Sequence, residues 1–164
     1  MKFPQVIICS PDDWVANQLK ELAADHRWKL RVVRQPSAVA ALVAEPRPTV
    51  LVVQADPEAD RPDRLQLVAD THRRRPDVAT VVVSDAKLSD DDRPGWAAAA
   101  LDLGARLVLF PPFTRPVLED VVGGLMAATI RRTTGDAPAP AVTPAPKLPA
   151  EDVIDLADEQ YRHD

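Results

Sequence analysis

Four aspartates, Asp12, Asp13, Asp56 and Asp85, follow closely on short apolar runs in this 164-residue chain. Carboxylates gathered where strands end can hold a divalent cation between them, and one of them can then serve as nucleophile toward a phosphoryl group. The same residues at loop starts also cap helices and form Asx turns, which needs no ligand. Ser84 adds a hydroxyl at the close of "ATVVVS". Other chemistries find less support. No GxGxxG or GxxxxGK[ST] pattern occurs, and none of the five glycines falls in the loop after the first or third apolar run, so no backbone phosphate cradle is encoded. The three histidines are scattered and no serine or cysteine stands in a nucleophile elbow, which leaves hydrolase chemistry without a basis. The single cysteine, Cys9, excludes a disulfide framework and any multi-cysteine zinc site. Within "VIIC" it reads as a buried, inert thiol, in keeping with a reducing cytoplasm.

The elements that would position these residues follow from apolar periodicity. "QVIICS" (5–10), "LRVVR" (30–34), "TVLVVQ" (49–54) and "ATVVVS" (79–84) read as buried strands, and "RLVLF" (106–110) as a fifth. Helical spacing fills the intervals: "WVANQLKELAADH", "SAVAALVAE", "RLQLVADTHRRR", "GWAAAALDLG" and, after the last strand, "RPVLEDVVGGLMAATIRR". Strict alternation of strand and helix predicts an α/β fold, a flavodoxin-like (βα)5 doubly wound parallel sheet of order 2-1-3-4-5 with right-handed crossovers. Ligands of such sheets sit at the carboxyl ends of the strands.

The folded unit is expected over 1–132. A Pro/Ala-rich stretch over 133–150 reads as an extended linker, and 151–164, "EDVIDLADEQYRHD", as an acidic amphipathic peptide. In that peptide Val153, Ala157 and Tyr161 recur at i, i+4 and i+8, with Ile154 and Leu156 beside them. Two readings stand: a helix or recognition peptide, or a disordered C-terminal tail that serves solubility. The formal charge of -5 resides in the last segments, since residues 1–132 carry 18 basic against 18 acidic side chains and 133–164 carry 2 against 7. A nucleic-acid partner is therefore not expected. The one basic run, "HRRRP" (72–76), reads as the solvated C-terminal end of a helix. No apolar run approaches the roughly 18 residues of a membrane span, so neither a membrane partner nor secretion is indicated, and a cytoplasmic location is expected.

The spacing over residues 5 to 131 resembles the receiver domain of bacterial two-component response regulators. The best match is "GARLVLFPPF", Gly104 to Phe113, which lies without gaps on the family pattern of glycine-alanine, an aromatic, then Lys-Pro-Phe. A working receiver, as the resemblance implies, phosphorylates an aspartate at the end of its third strand. Two acidic residues after the first strand hold Mg²⁺, a Ser or Thr ends the fourth strand, and a lysine before the proline pairs with the phosphoryl oxygens. In this sequence Gln54 falls at the acceptor, Ser10 and Pro11 at the metal pair, Pro111 at the lysine and Val108 at the aromatic switch; only Ser84 matches. An amide cannot form an acyl phosphate, and neither Ser10 nor Pro11 supplies a carboxylate. The resemblance also implies a cis bond before Pro112.

The resemblance implies a phosphorylation-independent signalling adaptor, a pseudo-receiver that is not an enzyme, has no cofactor and acts by protein-protein interaction. The family's partner face, its fourth helix, fifth strand and fifth helix, offers here Trp96, the Ala97–Ala100 surface, Arg106, Phe110 and Arg115, although core packing is the alternative reading for much of it. A homodimer is allowed, and the tail peptide is a second surface for a protein partner. The stretch from Ser84 to Gly104 is longer than the family's usual spacing and carries "SDDDRPG", a specific feature or a solvated excursion. The alternative is an atypical response regulator phosphorylated at a displaced aspartate, Asp56, with Mg²⁺ held by Asp12 or Asp13.

Overall fold

The chain is described here by a computed structural model covering residues 2–57, 62–84 and 88–135. Asp85, the linker beyond Gly135 and the 151–164 peptide lie outside the described residues. Strands and helices alternate as β1 (Gln5–Cys9), α1 (Trp14–Asp25), β2 (Lys29–Val33), α2 (Val39–Val43), β3 (Thr49–Gln54), α3 (Pro62–Arg74), β4 (Ala79–Val83), α4 (Arg93–Asp102), β5 (Leu107–Leu109) and α5 (Arg115–Thr134). The five strands form one parallel sheet in the order β2-β1-β3-β4-β5, the flavodoxin-like arrangement expected from alternation.

The three inner strands explain the core. Every residue of β1, β3 and β4 is buried, because helices cover both faces of the sheet. Successive side chains alternate between two clusters. Val6, Ile8, Val50, Val52, Val81 and Val83 pack with Leu19 of α1 and Leu118, Val122 and Met126 of α5. Ile7, Cys9, Leu51, Val53 and Val82 pack on the opposite face with Val39, Leu67, Val68 and Ala100. A fully buried Ile or Leu contributes about 2 kcal/mol. An unsatisfied buried hydroxyl costs about 1–3 kcal/mol, so the core tolerates that of Ser84, which has no hydrogen-bond partner among the described residues.

The structure corrects several expectations. Residues 30–34 do not form a buried strand: β2 is an edge strand paired only with β1, and Lys29 and Val32 are exposed. The helix expected over "SAVAALVAE" is a 3-10 turn, Pro36–Ala38, followed by only five α-helical residues. Pro46 and Pro48 explain the early stop, since each removes a donor and disfavours helix in the residue before it. At the other end α5 continues through Thr133 and Thr134, whose hydroxyls donate to carbonyls one turn back, and it ends at Gly135 in the left-handed conformation (φ 75°). The last helix therefore runs two residues past Arg132, to Thr134. His72, Arg73 and Arg74 form the exposed last turn of α3, as the basic run implied. Among the described residues no helix is long and apolar enough to cross a membrane.

Gly104 turns the chain from α4 into β5 with φ of 105°, and a Cβ there would overlap the His72 side chain. Gly104→Ala is expected to destabilise the protein by about 1–3 kcal/mol, through both the positive φ and the clash. Thermal melts check this: Gly104→Ala should lower the midpoint by several degrees, and adding His72→Ala should recover part of the loss but not all of it.

Candidate functional site

Register places the candidate residues along the carboxyl edge of the sheet. Cys9 lies opposite Val53, so the next residues, Ser10 and Gln54, are neighbours. Gln54 lies opposite Val83, and the amide of Ser84 donates to the Leu109 carbonyl at 3.0 Å. Alternation turns Ser10 and Gln54 toward α1 and α5, whereas Ser84 belongs to the opposite face.

Ser10 and Gln54 close on each other. The Ser10 hydroxyl donates to Gln54 Oε1 at 2.5 Å, and both side chains are buried. Ser10 has one proton, and its longer 3.2 Å approach to Asp12 Oδ1 competes poorly for it. Asp12 Oδ1 also accepts from the Trp14 amide at 3.2 Å, an Asx turn that starts α1. The neighbouring Asp13 is held by Arg34 at 2.9 Å, and the same guanidinium donates to the Pro11 carbonyl. Asp56, half-buried, follows two residues beyond Gln54 on a chain whose ladder continues through Ala55 N to Val83 O at 2.9 Å. Among the described residues no three His, Cys, Asp or Glu side chains are grouped as a metal site.

Two arginines that the sequence reading passed over reach this edge. Arg64, buried in the first turn of α3, donates to the backbone carbonyl of Gln54. Its charge acts on the buried Cys9, where desolvation raises the thiol pKa and Arg64 partly opposes that rise. Arg93, which opens α4, donates to the Pro111 carbonyl at 3.3 Å and lies 5.8 Å from the centre of the Phe110 ring. A basic residue in the first turn of a helix runs against the macrodipole, and that mismatch was the available signal for both. Pro111 itself is half-buried, and the Pro111–Pro112 bond is cis. Val108 packs on the second cluster, while Phe113 meets Trp14 at a centroid distance of 5.7 Å and ties the loop after β5 to the start of α1.

The residues expected on a partner face separate into two groups. Arg106 is exposed, and so are Ala98 and Ala99. Trp96 is half-buried against the second cluster, with its indole Nε1 buried and no acceptor among the described residues. Ala100 is fully buried. Arg115 bonds Glu21 of α1 at 2.5 Å and Glu119 at 2.8 Å, which raises its own pKa and lowers that of Glu21. Phe110 is half-buried beneath Arg93. Three large apolar side chains that the sequence did not single out, Leu101 of α4, Leu107 of β5 and Val117 of α5, are exposed on these same elements. In the long connection before α4, the Ser89 hydroxyl donates to Asp92 at 2.6 Å and accepts from the Asp92 amide, so this turn is closed by serine rather than capped by aspartate.

No family model matches the chain, and no curated protein matches it in sequence. Solved structures match its fold. The receiver domain of NtrX from Brucella abortus superposes with a TM-score of 0.58 at 20% identity, over 76% of this chain and 98% of that one. A CheY-like response regulator receiver domain protein from Methanospirillum hungatei JF-1 gives 0.59 at 14% identity, over 80% and 99%. A longer NtrX structure from Brucella abortus gives 0.61 at 18% identity and covers 83% of this chain, which spans 29% of the NtrX chain. At these identities the likeness is one of fold: five parallel strands in the order 2-1-3-4-5 with the architecture of receiver domains.

Proposed function

We propose that this protein is a phosphorylation-independent, cytoplasmic signalling adaptor with a receiver-like body, related to the response regulators of bacterial two-component signalling, and that it works by binding another protein. The observation that carries this reading is the buried hydrogen bond between Ser10 and Gln54. A phosphoacceptor corner needs a carboxylate nucleophile, a divalent cation and a fixed cation, each compensating the charge of the others. Here two of the corresponding positions, Ser10 and Gln54, are uncharged and hydrogen-bonded to each other. A hydroxyl and an amide bonded to each other in the interior need no ion to stay folded.

The surface of α4, β5 and α5 supports a binding role. Leu101, Leu107 and Val117 are exposed there together with the charge of Arg106, a combination that suits a partner offering apolar side chains and a carboxylate. Trp96 contributes mainly to the packing beneath that surface.

Two measurements check this reading. On incubation with acetyl phosphate or beryllofluoride and millimolar Mg²⁺, intact mass should show no phosphoryl adduct and tryptophan emission, to which Trp14 contributes, should not change. Mg²⁺-dependent phosphorylation that disappears in Asp56→Asn would overturn the adaptor reading in favour of a displaced acceptor. In urea denaturation, Ser10→Ala should destabilise by about 1–3 kcal/mol, because the buried Ser10–Gln54 hydrogen bond is lost. The double variant Ser10→Ala/Gln54→Met should cost less than the sum of the single changes by at least about 0.5 kcal/mol. Additive costs would mean that the two side chains do not support each other.

A further inference from the structure

The two edges of the sheet differ. β5 has three residues, whereas β2 has five and is paired along its whole length with β1 alone. In a parallel ladder the N–H and C=O of one residue point to the same neighbouring strand, and those of the next residue point away from it. The Lys29 amide donates to the Pro4 carbonyl at 2.9 Å and the Val33 carbonyl accepts from the Ser10 amide at 3.1 Å, so Lys29, Arg31 and Val33 are the residues whose backbone turns to β1. Leu30 and Val32 therefore present their N–H and C=O groups outward, where no partner stands among the described residues. The side chains alternate too. Leu30 packs on the cluster beneath α1 and Val33 on the cluster of the opposite face. Val32, on the side of Leu30, is a large apolar side chain left 40% exposed.

We propose that β2 is a docking edge for an extended segment of another protein in which acidic and apolar residues alternate, added to the sheet beside β2. The backbone of that segment takes up the outward groups of Leu30 and Val32. Its apolar side chains cover Val32 on the face of α1, and its carboxylates lie opposite Lys29 and Arg31 on the other face.

Charge decides the occupant. Lys29 is exposed and has no carboxylate partner among the described residues, and Arg31 shares the one carboxylate of Glu45, at 3.2 Å, with Arg47, at 2.7 Å. The edge is therefore guarded by charge of one sign, which turns away basic strands and admits acidic ones. A second copy does not suit it. Antiparallel pairing of Leu30 and Val32 with the same two residues of another molecule would set Arg31 directly against Arg31, and like charges directly opposite destabilise a strand pair. This edge is the far one from β5, so it is a surface separate from that of α4, β5 and α5, and its use does not depend on the state of the Ser10–Gln54 corner.

Two peptides blocked at both ends, one alternating glutamate with valine and one alternating lysine with valine, test the proposal on the full chain, with amide exchange read residue by residue by NMR. At saturating, millimolar glutamate peptide the Leu30 and Val32 amides should exchange at least about ten-fold more slowly, and the lysine peptide should change nothing. Val32→Pro removes an outward donor and none of the bonds to β1. It should abolish the protection of Leu30, while amides of β3 and β4 stay protected and show that the sheet is intact. Lys29→Glu should weaken binding of the glutamate peptide by about two- to five-fold, the effect of one exposed ion pair. Equal protection by the two peptides, protection that survives Val32→Pro, or an affinity unchanged by Lys29→Glu would each overturn the proposal, as would unslowed exchange of Leu30 and Val32 at every concentration of the glutamate peptide. Protection that appears without peptide and rises with protein concentration would also overturn it, by assigning the edge to a second copy.

Discussion

Burial of β1, β3 and β4 on both faces is the constraint from which the rest of the molecule follows. Strands covered on both sides leave almost no room for polar side chains along their length, because each unpaired polar group inside costs about as much as a buried methylene pair stabilises. Polar residues are therefore driven to the two ends of the sheet. At the amino end Gln5 donates to the Leu42 carbonyl and to Thr49, which knits β1, α2 and β3 together. At the carboxyl end, among the described residues, the buried polar side chains on or next to these strands are Ser10, Gln54 and Ser84.

What occupies the carboxyl end decides between a charged, ligand-dependent corner and a neutral, self-contained one. A carboxylate beside a metal and a lysine gains its stability from ions that come and go, and the surface above can respond to them. Here a serine hydroxyl is bonded to a glutamine amide oxygen, and neither side chain carries a charge. Positive charge has not left the region, since Arg64 and Arg93 are there, but both address backbone oxygens, of Gln54 and Pro111, and so act as struts.

The helix layers differ in how completely they cover the sheet. On one face α1 and the twenty-residue α5 are joined by Arg115 with Glu21, and Trp14 of α1 meets Phe113 in the loop before α5. On the other, α2 has five residues beside the thirteen of α3. Between these two helices lies a groove of about 600 Å³ whose lining includes Ala40, Val43, Ala44 and Leu67.

Much of this was legible in the sequence. Alternating apolar runs named all five strands and their order: β1, β3 and β4 read as unbroken apolar runs because they are buried on both faces, and strictly alternating helices admit few topologies. The apolar runs by themselves put Ser10 and Gln54 at the carboxyl ends of β1 and β3, where the two side chains hydrogen-bond. Other features depended on three dimensions. "LRVVR" reads the same whether β2 lies inside or at the edge, since only the neighbour on each side decides its exposure. Nothing local says that Arg64 reaches back ten residues to a strand end, that Arg115 turns to α1, or that Leu101, Leu107 and Val117 remain uncovered. Periodicity reports which face of an element is apolar; which neighbour, if any, covers that face is settled by packing between elements far apart in the chain.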